Sequence, residues 1–132
     1  MKVSRFGVSL EDDLLKKLDN LVSRHRFPNR SQAIRHLVRN ALVEQAWTDD
    51  KEVAGVIVLI YDHHRRNVVS DLIRVQHDFS GVIVASQHAH LTHENCLETI
   101  VLKGTPSELR DLSDRLISIK GVKHGQLVTS GF

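Results

Sequence analysis

The chain has 132 residues, room for one ordinary domain or two small ones, and 41% hydrophobic with 26% charged residues excludes a disordered chain. Aromatic residues are only 5%, which argues against stacking platforms for single-stranded nucleic acid. The single cysteine, Cys96, excludes a disulfide framework and a multi-cysteine zinc ribbon, and no apolar run approaches the roughly 20 residues of a membrane helix. The net charge of +2 resides wholly in residues 1–50; residues 51–132 balance to zero but hold seven of the nine histidines.

Arg5-Phe6-Gly7-Val8-Ser9-Leu10 alternates polar or small residues with apolar ones, which predicts a strand. Phe6, Val8 and Leu10 would share one face, and Arg5, Gly7 and Ser9 the other. Ser9 with Asp12 three positions on predicts a capping-box helix start, with Glu11, Asp12 and Asp13 supplying acid to the first turn. Leu14, Leu15, Leu18, Leu21 and Val22 recur at helical spacing, and the helix should end before Phe27-Pro28-Asn29. Asn29 or Ser31 can cap a second helix with the apolar stripe Ala33, Ile34, Leu37, Val38, Ala41 and Leu42.

One short strand and two short helices bury too little apolar surface to stand alone. A two-fold dimer cures this: the strands pair antiparallel and the helices interlock. The ribbon then presents Arg5, Gly7 and Ser9 twice, on a shape that fits the major groove of DNA. Asn29, Arg30 and Ser31 open the second helix with free N–H groups and a cation suited to a phosphate. Charge agrees, since no acid lies between Asp19 and Glu44 while Arg24, Arg26, Arg30, Arg35 and Arg39 do. Over residues 5–43 this pattern resembles the ribbon–helix–helix family of DNA-binding repressors. The resemblance implies that Arg5, Gly7 and Ser9 face base edges, although Gly7 departs from the polar residue usual there.

Residues 44–52 are polar and read as a hinge between domains 1–50 and 51–132, with Trp47 a packing residue. Val53-Ala54-Gly55-Val56-Ile57-Val58-Leu59-Ile60-Tyr61 is a continuous apolar run of strand length. Residues 67–76 read as a helix with Val68, Val69, Leu72, Ile73 and Val75 as its apolar positions. Residues 81–91 and 96–103 read as a hairpin joined by Thr92-His93-Glu94-Asn95. Thr105-Pro106-Ser107-Glu108 opens a last helix with cap, proline and glutamate in their preferred places, and Leu109, Leu112, Leu116 and Ile117 face inward. Gly121 is expected to end it, before a final strand over 122–128. The order strand–helix–strand–strand–helix–strand is that of a ferredoxin-like sandwich, so the expected class is α+β: an intertwined ribbon–helix–helix dimer followed by a βαββαβ (ACT-type) domain.

The hairpin carries the chemistry. His88 and His90 leave one face of their strand, and Cys96 and Glu98 share a face of the next. If His90 lies opposite Cys96, His88 lies opposite Glu98, and two imidazoles and a thiolate converge within reach of one metal ion. Glu98 then stands beside them as a partner for a ring N–H. The donors suit zinc, copper or nickel rather than calcium or magnesium. His77 or His93 could each be the fourth ligand.

Gln76-His77, His88-Ala89-His90, Glu94-Asn95-Cys96-Leu97-Glu98 and Gly121-Val122-Lys123-His124-Gly125, in that order below the DNA-binding pattern, closely resemble the nickel-responsive transcriptional regulators. The likeness runs from residue 5 to about residue 128. It implies a square-planar Ni(II) site of His88, His90 and Cys96 from one chain and His77 from another, about one ion per chain. Gln76, Glu98 and Tyr61 would support those ligands by hydrogen bonding. It further implies a homotetramer, with a core of sandwich domains flanked by two DNA-binding dimers that nickel positions on a palindromic operator, repressing nickel uptake. Arg65 and Arg66 match a basic loop that touches the DNA backbone in relatives. The acidic residues that hold potassium near the second helix in some relatives are here Gln32 and His36.

Two other classes fit part of the sequence. The second domain could instead sense an amino acid or similar metabolite, as many ACT domains do. A metalloenzyme is disfavoured, because Glu98 is the only obvious base and an enzyme leaves the DNA-binding half unexplained. His63 and His64 could form an auxiliary metal site, but as turn residues beside Tyr61 they are more readily structural. Residues 1–10 lack the apolar core of a secretory signal, so a soluble, cytoplasmic, non-enzymatic regulator is expected.

Overall fold

A computed structural model describes residues 1–132, which divide into two compact units, Met1–Ala41 and Leu42–Phe132. The first holds α1 (Asp12–Arg24) and most of α2 (Arg30–Thr48). The second holds the end of α2, then β1 (Val53–Tyr61), α3 (Val68–Asp78), β2 (Ile83–His90), β3 (Cys96–Gly104), α4 (Pro106–Ile117) and β4 (Val122–Ser130).

In the first unit both helices form where the leucine and alanine spacing requires, but their caps differ from expectation. Ser9 does not cap α1: Glu11 is the capping position and no side chain bonds there, so the Ser9–Asp12 capping box is absent. Asn29 does cap α2, its Oδ1 accepting from Gln32 N at 2.9 Å. The strand expected over residues 5–10 is not formed either; residues 1–11 carry no regular structure and are exposed. Strand geometry needs a hydrogen-bonding neighbour, and a single chain offers this segment none. Ala33 is the one buried side chain among residues 1–41, while Phe6 is 77% and Val38 52% exposed. Such a unit has no core of its own.

Of the polar stretch 44–52, residues 44–48 are helical. α2 continues through Thr48, and its last turns belong to the second unit. Trp47 is buried there, its Nε1 donating to Ser130 O at 2.8 Å, with the Arg110 guanidinium over its ring. Asp50, at φ +54°, accepts from the Ser107 N–H at 3.2 Å, so the short link into β1 is pinned to the start of α4.

The second unit is a four-stranded antiparallel sheet in the order β2-β3-β1-β4. Element order and strand order together are those of the ferredoxin-like sandwich. Alternate β1 residues (Val53, Ile57, Leu59, Tyr61) are buried and pack with Leu72 and Val75 of α3 and Leu109, Leu112 and Leu116 of α4. The other face of β1 is apolar too, which is why the run reads as continuous, and Val101 and Val128 beside it are 40% and 47% exposed. α4 has the full expected capping box: Glu108 N donates to Thr105 Oγ1, and Thr105 N to Glu108 Oε1. It stops at Ile117, and Gly121 acts three residues past the Ser118 cap, where φ +109° turns the chain into β4.

Candidate metal centre

Pairing fixes the geometry of the hairpin. His90 lies opposite Cys96 and His88 opposite Glu98, the register that the parity argument required. Tyr61 at the end of β1 lies opposite Cys96 on the other side. Three neighbouring strands therefore bring Tyr61, Cys96, Glu98, His88 and His90 to one end of the sheet.

Glu98 is the hub. It is 2% exposed, and its Oε1 accepts from the Tyr61 hydroxyl at 3.0 Å while Oε2 accepts from Gln76 Nε2 at 3.1 Å. His88 Nε2 stands 3.3 Å from the same Oε2. Burial raises the Tyr61 phenol far above its ordinary range, and the negative charge and hydrogen bond of Glu98, then the Cys96 thiol, raise it further; Tyr61 is therefore a fixed donor at neutral pH. Gln76 comes from α3, so this carboxylate joins the helix layer to two strands.

Glu98→Gln tests the hub. An amide has one acceptor oxygen where the carboxylate has two, so at least one buried donor loses its partner. The expected cost is about 1–3 kcal/mol, a fall in the thermal midpoint of at least about 4 °C for a unit this size. An unchanged melting curve would contradict the arrangement.

The candidate ligands share a face without being drawn together. The side chains whose ligand atoms do gather, within 4.8 Å of one another, are Asp62, His63 and His64 in the neighbouring loop. His88 turns to Glu98, and the His90 ring stands edge-on to His63, centroids 4.9 Å apart. Each imidazole takes the polar or aromatic neighbour at hand. Cys96 is buried at 2% exposure, and His77 is exposed in the last turn of α3. The donor chemistry nonetheless fits nickel: one thiol and two imidazoles stand at one end of a hairpin, His90 opposite Cys96 and His88 two residues before His90 on the same strand.

Sequence reasoning missed the approach of His63 to His90. The signal was present, because pairing Tyr61 with Cys96 puts the residues after Tyr61 beside the mouth of the hairpin. It also missed Lys123, whose Nζ donates to Asn95 Oδ1 at 2.7 Å and ties the hairpin turn to β4.

In the first unit, Arg5, Gly7 and Ser9 lie in the exposed N-terminal segment. Arg5, Phe6 and Val8 line a groove of about 690 Å³ with Ser31, Ile34 and Val38 of α2. Arg30 is not a free cation at the start of α2. Its Nε and Nη2 donate to the two carboxylate oxygens of Asp19, at 2.8 and 2.9 Å, and this hydrogen bonding holds the Asp19 carboxyl below its usual range. In the second unit, Arg65 and Arg66 line a small cavity of about 290 Å³ with Asn67, Asp71 and Lys120.

Comparison with known proteins bears on both halves. Residues 54–130 match the family described as the NikR C terminal nickel binding domain, and residues 4–45 match the ribbon-helix-helix protein, copG family. Relatives that carry the name "Putative nickel-responsive regulator" match nearly the whole chain. That of Syntrophus aciditrophicus is 50% identical over 98% of this chain and 94% of its own length. That of Nitratidesulfovibrio vulgaris (strain Miyazaki F) is 53% identical over 93% of this chain and 89% of its own. That of Thermococcus onnurineus is 46% identical over 97% and 94%. Among solved structures, an uncharacterized protein from Thermotoga maritima covers 60% of this chain at a TM-score of 0.55 and 20% identity, a likeness of fold alone.

Proposed function

Since the chain belongs to the nickel-responsive regulator family, a family of DNA-binding regulators and not of enzymes, we propose that it is a tetrameric repressor of nickel uptake whose grip on DNA depends on nickel. The supporting observation is the hairpin register, which puts His88, His90 and Cys96 on one face beside a buried, hydrogen-bonded Glu98. His88, His90 and Cys96 would hold about one nickel per chain, with His77 from a second copy completing the set, and the ion would supply a cross-link between chains.

The protein's own residues account for the rest. Glu98, held by Tyr61 and Gln76, offers His88 an acceptor for its ring N–H and so favours one orientation of that imidazole. The half-exposed apolar face of the sheet and the coreless first unit both call for further copies of the chain. Two copies of the first unit would pair residues 5–10 into a ribbon, with Arg5, Gly7 and Ser9 toward base edges. Asn29, Arg30 and Ser31 would lie at the flanking phosphates, and Arg30 would keep or exchange Asp19 there. Arg65 and Arg66 would touch the backbone from the second unit. A site completed between chains favours one arrangement of the tetramer, and two ribbons held for adjacent half-sites of a palindromic operator bind with avidity.

Mixing two defective chains tests the sharing directly. His77→Ala and Cys96→Ala proteins should each lack the thiolate-to-nickel charge-transfer band. Refolded together, they should recover part of it, because one chain supplies Cys96 and its neighbour His77. No recovery, or a full band in His77→Ala alone, contradicts a ligand donated from a second copy.

A further inference from the structure

β4 carries one residue too many for its pairing with β1. Ile60 lies opposite His124 and Tyr61 opposite Val122, so Lys123 has no partner across the strands. A bulge of this kind bends its strand and re-aims a side chain. Here the Lys123 ammonium donates to Asn95 Oδ1 at 2.7 Å, in the hairpin turn and next to Cys96. β1 lies between β4 and β3, and strands two apart are roughly 10 Å from each other, so only a long side chain reaches. We propose that Lys123 is a positioning residue for the hairpin donors, on the premise that these bind nickel as proposed above. Through Asn95 it anchors the turn that joins His90 to Cys96, so that thiolate and imidazoles are held ready before the ion arrives.

Asn95 is the residue through which the turn can be held. Its backbone N–H and its Nδ2 both donate to Thr92 Oγ1, at 3.1 and 3.0 Å. Its carbonyl oxygen accepts from the Leu91 and Thr92 N–H groups at 2.9 and 3.2 Å. One residue thus closes the turn on itself, and its side-chain oxygen is the atom that Lys123 takes. Residues 91–94 are exposed, so apolar packing does little to restrain them. A metal that gathers donors from a loose turn must also order that turn, which lowers its affinity. Coulomb's law alone works the other way, since an ammonium group this near to a cation site repels the ion. Loss of the amine as a charge would strengthen nickel binding, whereas loss of it as an anchor weakens binding. The sign separates the two.

Nickel affinity, read from the thiolate band in competition with a chelator, tests this on full-length Lys123→Met and Lys123→Arg proteins. Lys123→Met should bind nickel about 10-fold more weakly, the low end of what losing an outer hydrogen-bonding partner does. Lys123→Arg should recover most of that affinity, because a guanidinium also donates. In the metal-free protein, the Leu91 and Thr92 amide protons should exchange about 3–5-fold faster in Lys123→Met, while those of β1 keep their rates. In an Asn95→Ala background, Lys123→Met should weaken binding no further. Unaltered or tighter nickel binding in Lys123→Met, or the same loss with Asn95 already removed, overturns the role of Lys123 and leaves the hairpin site standing. No band in the unaltered protein sinks the hairpin site and the role of Lys123 with it, so the two failures are told apart.

Discussion

Cys96→Ala is expected to abolish tight nickel binding, with disappearance of the thiolate charge-transfer band and of any effect of nickel on DNA affinity. Cys96 is the only cysteine in the chain, so no other thiolate can take its place. It opens β3 opposite His90, and its neighbours along the same face are Glu98 and, across β1, Tyr61. Loss of a directly bound sulfur should exceed the roughly 10–100-fold penalty typical of losing an outer hydrogen-bonding partner. The fold should survive, because trimming one buried sulfur atom costs about 1 kcal/mol when the surroundings are left intact. Nickel calorimetry and a melting curve on the same sample separate the two effects. An unaltered nickel affinity would remove Cys96 from the site.

Phe6→Asp should have an equally large effect on the other half of the molecule. Phe6 is 77% exposed in the single chain and lines the groove along α2 with Val8, Ile34 and Val38. In a paired ribbon it would turn into the only core that the first unit can build. An aspartate there would bury a charge without a partner, at several kcal/mol per chain, which exceeds the stability expected of so small a unit. DNA binding should fall to background at every sequence, measured by fluorescence anisotropy, while nickel binding and the ultraviolet band stay as they were. Retained DNA binding would show that Phe6 does not sit in a dimer core.

These two residues also show what a sequence can disclose. The sandwich domain was readable almost residue by residue: β1 over Val53–Tyr61, the capping box at Thr105 and Glu108, and the pairing of His90 with Cys96. Its elements pair and pack within one chain, so local pattern and tertiary contact agree. The first unit was legible as helices but not as a strand, because residues 5–10 gain a hydrogen-bonding neighbour only in a second chain. Residues 44–48 look like a linker by composition, yet the burial of Trp47 against β4 draws them into α2. The Arg30–Asp19 pair joins two helices across eleven positions and has no local signature. At the hairpin, alternation on each strand was enough to place the donors. The approach of the 62–64 loop was not, since it depends on where β1 ends relative to β3.

The most direct measurement is the affinity of the metal-free and nickel-loaded protein for a duplex selected by the loaded protein from a random pool. Salt concentration should be held constant, since phosphate contacts make affinity steeply salt-dependent. Nickel-loaded protein should bind at least about 100-fold more tightly, as expected when two tethered dimers engage two half-sites, and Cys96→Ala should show no such gain. Equal affinity with and without nickel would contradict the account, leaving a DNA-binding protein whose hairpin donors serve another purpose.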